Sequence, residues 1–213
     1  MLRRSLIVGS LASAASIVLP LGVRAAPEQQ LLPSHLISNV LKLNGTIRLG
    51  SLQADVVLIE FFDYNCPYCR NSAKDLFQLL AKDKNLCYVL INYAVLSEPS
   101  IQAAKVALAF SMQKAGFYAG FHQKLFERKG VIGVDHAIDV AVNLGADKTR
   151  LIKDADSDAV TKALIAFAKL GENLGFIATP SYIIGNTGVQ GYASLSEKKR
   201  FVSNMRVCEK TVC

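Results

Sequence analysis

Two cysteines separated by two residues, Cys66-Pro67-Tyr68-Cys69, stand where a strand-like run gives way to a helical pattern. No other feature constrains the chain as much. Val56-Val57-Leu58-Ile59 ahead of it is apolar and mostly β-branched, while Cys69, Ala73, Leu76, Phe77 and Leu80 after it recur at helical spacing. A helix N-terminus carries unpaired N–H groups and the positive end of the macrodipole, and both favour a thiolate over a thiol. Pro67 suits the first helical turn, where its missing N–H loses no bond. The helical spacing turns Cys69 inward and leaves Cys66 at the exposed end. C-x-x-C is also a zinc spacing. Zinc would need two more ligands; Cys208 and Cys213 could supply them, but structural zinc usually uses a tighter second pair.

The β pattern continues past this helix. Lys82 to Asn85 is turn-like, and Cys87 to Tyr93 is an apolar run expected to form a buried strand parallel to the first. A strand–helix–strand unit of this kind crosses over right-handedly. From Ser100 to about Glu172 the chain then reads as helices. One stripe is Ala103, Val106, Ala107 and Phe110, a second is Phe117, Phe121 and Leu125, a third is Ala137, Ala141 and Leu144, and a fourth is Val160, Leu164 and Phe167. β character returns in Phe176 to Ile184, split by Pro180, and in Val189-Gln190-Gly191 after a glycine turn. Ser194 to Glu197 has capping-box spacing and opens a last helix carrying Leu195, Phe201, Val202 and Met205. The Glu197-Lys198-Lys199-Arg200 run reads as its solvated face. Ahead of all this, Pro33-Ser34 could start a short helix. The expected organisation is a leader over 1–25, an N-terminal segment over 26–54, and an α/β domain in two parts, 55–99 and 173–213. An all-helical subdomain over 100–172 interrupts that domain.

The leader reading rests on Met1-Leu2-Arg3-Arg4, the apolar stretch Leu6 to Leu21, and Val23-Arg24-Ala25 as a cleavage-like end. A membrane anchor is the competing reading, because the stretch is near the lower limit for spanning. Arg3-Arg4 fits a general or a twin-arginine export route, and the choice stays open. The formal charge of +7 falls once the leader's arginines are set aside, and no basic run is interleaved with aromatics, so nucleic-acid binding has no support. In an exported protein a cysteine pair is redox-active or bridged more often than metal-bound. Cys208 and Cys213 could form a structural disulfide that ties down the C-terminus. Cys87 reads as a small buried hydrophobe. His35, His122 and His136 keep no ligand spacing, and His122 reads as a packing or surface residue.

Three features stand together: the C-x-x-C after Glu60-Phe61-Phe62, the helical insert, and Leu174-Gly175 leading into Thr179-Pro180. Over roughly Val56 to Val207 the chain resembles the DsbA-like family of exported thiol–disulfide oxidoreductases. That resemblance implies an α/β, thioredoxin-like fold with an inserted all-helical subdomain. It implies Cys66 as the exposed nucleophile and Cys69 as the buried partner that closes the internal disulfide. Pro67 and Tyr68 would tune the thiolate, and Tyr68 replaces the histidine of the family's strongest oxidants, which implies a less oxidising potential. Thr179 would offer backbone groups to an extended substrate segment, and Pro180 would be the cis-proline facing the dithiol. Glu60 would be a buried carboxylate relaying the proton of Cys69, the alternative being a surface carboxylate at the strand end. The expected protein is a monomeric periplasmic enzyme without cofactor or metal. It would introduce or exchange disulfides in cysteine-containing substrate proteins and be served by a membrane redox partner. An isomerase or reductase is the alternative, and a peptide-binding or zinc-stabilised module is the non-enzymatic one.

Overall fold

The computed structural model describes residues 27–213; the leader expected over 1–25 lies outside the described residues. In chain order the elements are β1 (Glu28–Leu31), α1 (Ser34–Val40), β2 (Ile47–Gly50), β3 (Val56–Phe62), α2 (Pro67–Lys82), β4 (Leu86–Asn92) and α3 (Glu98–Lys114). After a short 3₁₀ turn come α4 (Tyr118–Glu127), α5 (Val134–Asn143), α6 (Lys148–Ala155), α7 (Asp158–Asn173), β5 (Ser181–Ile184), β6 (Thr187–Gln190) and α8 (Leu195–Cys208).

Six strands form one sheet in the order β1-β6-β5-β3-β4-β2. β3 and β4 are parallel, from Val56 opposite Leu86 to Phe62 opposite Asn92, and α2 is the crossover between them. The remaining pairings are antiparallel. β3 is therefore central, and both its faces are covered, which is why it reads as a continuous apolar run. Leu58 and Phe62 join a cluster with Leu76 of α2 and Phe201 of α8. Ile59 and Phe61 join another with Val40 of α1 and Phe167 of α7. By the two-residue alternation Glu60 belongs to the face of Leu58 and Phe62, against α2 and α8.

Strands β1 and β2 were not legible in the sequence. Each has four residues, three of them exposed in β1 and two in β2, and an edge strand can form on main-chain pairing without an apolar signature. The helical stretch has one more helix than its four stripes. α6 buries only Leu151 and Ala155 and starts at an Asp147 cap that accepts from the Arg150 N–H, so its stripe is thin. Phe117, placed in the second stripe, is 57% exposed in the 3₁₀ turn. α3 packs against α4, α5, α6 and α7 and forms the centre of the insert. The run from Phe176 becomes a strand only at Ser181. Pro180 donates no N–H to a ladder, and Phe176 packs edge-on against Phe61 instead. Ser194 and Glu197 form the expected capping box of α8.

Candidate active site

Cys66 is the N-cap of α2 and Pro67 its first residue. The Cys66 sulfur accepts from the Cys69 N–H at 3.4 Å, one of the donors that a helix start leaves unpaired. From the other side the Thr179 carbonyl lies 3.1 Å from the same sulfur and accepts from its S–H. Thr179-Pro180 is a cis peptide, and the Pro180 carbonyl accepts from the Gly191 N–H. The Thr179 hydroxyl is buried without a hydrogen-bond partner among the described residues.

Donors around the sulfur hold Cys66 down at about 6. The hydrogen bond from the Cys69 side chain contributes most, burial opposes it, and the N–H groups of Cys69 and Tyr68 pull the same way as Cys69. Cys69 is the reverse case. Burial pushes its thiol well above the ordinary value, and Cys66 and the Glu60 carboxylate push it further. Adjacent thiols with such separated acidities can divide the work of exchange, one ionised and attacking, the other held protonated until needed.

The expected exposure of Cys66 needs correction. The residue is 4% accessible, nearly as buried as Cys69 at 1%. The Thr179-Pro180 loop lies against its sulfur, which a helical wheel drawn on α2 alone cannot show. What is exposed at the site is Pro67 and Tyr68, the latter at 57%.

Beneath the dithiol lies a buried polar group. Glu60 is 2% exposed, which excludes the surface alternative. Tyr88 of β4 donates its hydroxyl to the Glu60 carboxylate at 2.6 Å. Burial raises Glu60, while Lys198, Tyr88 and Ser72 oppose the rise. Lys198 was expected on the solvated face of α8, yet its side chain is fully buried. It donates to Asp75 at 3.0 Å and to the Ser72 hydroxyl at 2.8 Å, both on α2. The physical reason is its place three and four residues before Phe201 and Val202, on the stripe that faces the core.

Two residues between β3 and the dithiol fasten this loop, Asp63 to the connection after β4 and Asn65 to the insert. The Asp63 carboxylate accepts from the N–H groups of Asn65, Val95 and Leu96. Asn65 exchanges two hydrogen bonds with the Ile132 backbone and donates to Ser100. Neither residue had a signal in the sequence beyond adjacency to the cysteines.

A family model described as thioredoxin matches residues 42–204. A thioredoxin-like oxidoreductase from Silicibacter pomeroyi DSS-3 is 31% identical, with a TM-score of 0.75, over 80% of this chain and 98% of that one. The chain belongs to the thioredoxin family. Within it, the chain is a DsbA-like thiol–disulfide oxidoreductase. The disulfide bond formation protein D of Bacillus subtilis (strain 168) is 23% identical over 78% of this chain and 79% of its own. The thiol-disulfide exchange protein alpha-DsbA2 from Wolbachia pipientis has the same fold, with a TM-score of 0.75 at 24% identity over 81% of this chain and 92% of that one.

The fold brings Glu60, Cys66, Pro67, Tyr68, Cys69, Thr179 and Pro180 to one end of β3. Cys208 and Cys213 are bridged at the far end of α8, with a Cα–Cα distance of 6.1 Å. Cys87 is a buried thiol raised by its burial. Among the described residues no group of histidine, cysteine and carboxylate side chains is arranged to hold a metal. His122 is buried against Phe62, Tyr64 and Phe126. Ser72, Asp75, Tyr182 and Lys198 escaped the sequence reading because their polar types disguise core positions.

Proposed function

We propose that Cys66 is the attacking and Cys69 the resolving thiol of an exported enzyme that donates disulfides to cysteine-containing proteins. The observation that carries this is the Cys66 sulfur held between the Cys69 N–H and the Thr179 carbonyl. A substrate thiolate attacks the sulfur of Cys66 in the Cys66–Cys69 disulfide, and Cys69 leaves with the electron pair and takes a proton. A second substrate thiol then attacks the mixed disulfide, and Cys66 leaves as the thiolate. The enzyme is reduced and the substrate oxidised. Glu60 is the group positioned to supply or accept the Cys69 proton. Thr179 and Pro180 flank the bound segment, Pro67 and Tyr68 border it, and the Cys208–Cys213 bridge pins the end of α8.

The low Cys66 value favours the oxidase over the isomerase, since a stabilised thiolate is a good leaving group. A membrane protein that reoxidises the dithiol is the partner this direction requires. Export to the periplasm is supported by the Arg3-Arg4 start and apolar stretch of the sequence. We read 55–99 and 173–213 as the two parts of the thioredoxin-like domain and 100–172 as its insertion, acting as a monomer. The test is trapping. Cys69→Ser, first charged at Cys66 as a mixed disulfide with an aryl disulfide reagent, should pass into mixed disulfides with reduced client proteins as their thiolates attack the Cys66 sulfur and the aryl thiolate leaves, and Cys66→Ser should accumulate none. Equal trapping by both variants would reject the assignment. The reduction potential against glutathione then separates oxidase from reductase.

A further inference from the structure

Lys198 is the one fully buried lysine among the described residues, and it reaches the dithiol helix from α8. On α2 it meets Asp75 and Ser72. Ser72 in turn shares a hydrogen bond with the Tyr182 hydroxyl at 2.9 Å, and Tyr182 of β5 is the register partner of Glu60 on β3. The ammonium lies 5.2 Å from the centre of the Tyr182 ring and 5.1 Å from that of Tyr192. Tyr192, in the loop before α8, donates to the same Asp75 oxygen at 2.8 Å and stacks on Tyr68 of the C-x-x-C. The next two cations of α8, Lys199 and Arg200, face solvent.

Lys198 thus lies between two carboxylates, Asp75 in direct contact and Glu60 on the adjoining strand. An ion pair of this kind costs desolvation that packing alone does not return. We propose that Lys198 is a positioning residue for the exchange reaction, its ammonium divided between Asp75 and Glu60 so that helix α8 sets how readily Cys69 gives up its proton. The groups facing the ammonium are Asp75, Ser72 and Cys69 from α2, Glu60 from β3, Tyr182 from β5 and Tyr192; Tyr88 of β4 faces Glu60. Glu60 and Asp75 act on Lys198 against its burial, and Lys198 opposes the rise of Glu60.

The two partners should act with opposite signs. Without the ammonium, the negative charge on Cys69 loses a cation that favours it, and Glu60 takes up its proton at higher pH and is lost as the carboxylate that would receive the Cys69 proton. Without the Asp75 charge, an anion is gone and the whole ammonium is free to serve Glu60 and Cys69. Loss of packing has no reason to produce opposite shifts.

This inference rests on Cys69 as the resolving thiol, and its test separates the two. Reduced protein with Cys87→Ala is mixed with the aryl disulfide 5,5′-dithiobis(2-nitrobenzoate). The Cys66 thiolate attacks one sulfur, forms a mixed disulfide and releases one aryl thiolate. Cys69 then loses its proton and attacks the Cys66 sulfur, and the second aryl thiolate leaves with the electron pair. The protein dithiol is oxidised and the probe reduced. The rate of the second release against pH reports Cys69. In Lys198→Met the profile should move to higher pH by about one unit, the lower end of the effect of a nearby opposite charge, and at neutral pH the release should slow by about tenfold. In Asp75→Asn it should move to lower pH. If Lys198→Met does not fold, the acid shift of Asp75→Asn decides. Profiles that stay in place, or that move the same way in both variants, overturn the inference. Absence of any first release from Cys66 would instead reject the assignment of the nucleophile.

Discussion

Cys66 and Thr179, 113 positions apart in sequence, meet at 3.1 Å across the cleft between α2 and the loop before β5. The contact occupies the sulfur of the thiol form with a carbonyl, and when the proton leaves that bond is lost. The Cys69 N–H and side chain are the donors that remain. Ionisation therefore exchanges an acceptor for donors at the place where a substrate sulfur must arrive.

The first expected outcome follows from the order of those contributions. Alkylation of Cys66 should titrate with a midpoint of about 6, well below an ordinary cysteine near 8.5. Because the Cys69 side chain contributes most, Cys69→Ala should raise the midpoint. Iodoacetamide rates from pH 4 to 9 measure both. A native midpoint near the ordinary value would remove the basis for an activated Cys66.

Stability of the reduced protein should carry the same signature. The folded value of Cys66 is depressed below its unfolded value, so its contribution is fully present above the unfolded value and is lost as pH falls through about 6. The oxidised form has no such thiolate. The stability of the reduced form relative to the oxidised one should therefore rise from pH 6 to 8.5. Urea midpoints of both forms across that window test it, and a constant difference would contradict it.

The dithiol helix and its flanking strands were readable because their physics is local. A proline at the first turn, a glutamate cap three residues after Ser194, and apolar residues at helical spacing all act within a few residues. The site was readable only where it coincided with such signals. Asn65, Ser72, Asp75 and Lys198 are polar residues whose partners come from other parts of the chain, and no periodicity announces them. Lys198 shows the reason most clearly. Its type argues for solvent and its phase along α8 argues for the core, and burial beside Asp75 follows the phase. β1 and β2 escaped for a related reason, since their order comes from main-chain pairing to β6 and β4.

Asn65 should matter for the placement of the cysteines without touching a sulfur. Asn65→Ala removes three side-chain hydrogen bonds, two to the Ile132 backbone and one to Ser100. Leaving buried partners unsatisfied costs about 1–3 kcal/mol. Urea unfolding should show that loss, and mixed-disulfide formation should slow because the loop loses its tie to the insert. Native stability and native rates in this variant would mean that the loop is held by Asp63 alone.

His122 gives the last expectation, a test of the core of the insert. Burial against Phe62, Tyr64 and Phe126 lowers it from 6.5 to about 3, and its Nδ1 lies 3.2 Å from the Tyr64 hydroxyl. The unfolded chain takes up a proton below 6.5 that the native protein refuses until about 3. Stability from this residue is therefore complete above 6.5 and falls as pH drops toward 3, by about 1.4 kcal/mol for each pH unit within that window. Carboxylates such as Asp55 and Asp83, both lowered by Arg206, add their own losses at the acid end. The informative quantity is therefore the difference from His122→Phe, which keeps an aromatic ring and cannot titrate. Thermal unfolding between pH 4 and 6.5 should show a shallower acid loss in that variant. Parallel pH curves for the two proteins would show that His122 accepts its proton in the folded state, which would contradict its buried place among these rings.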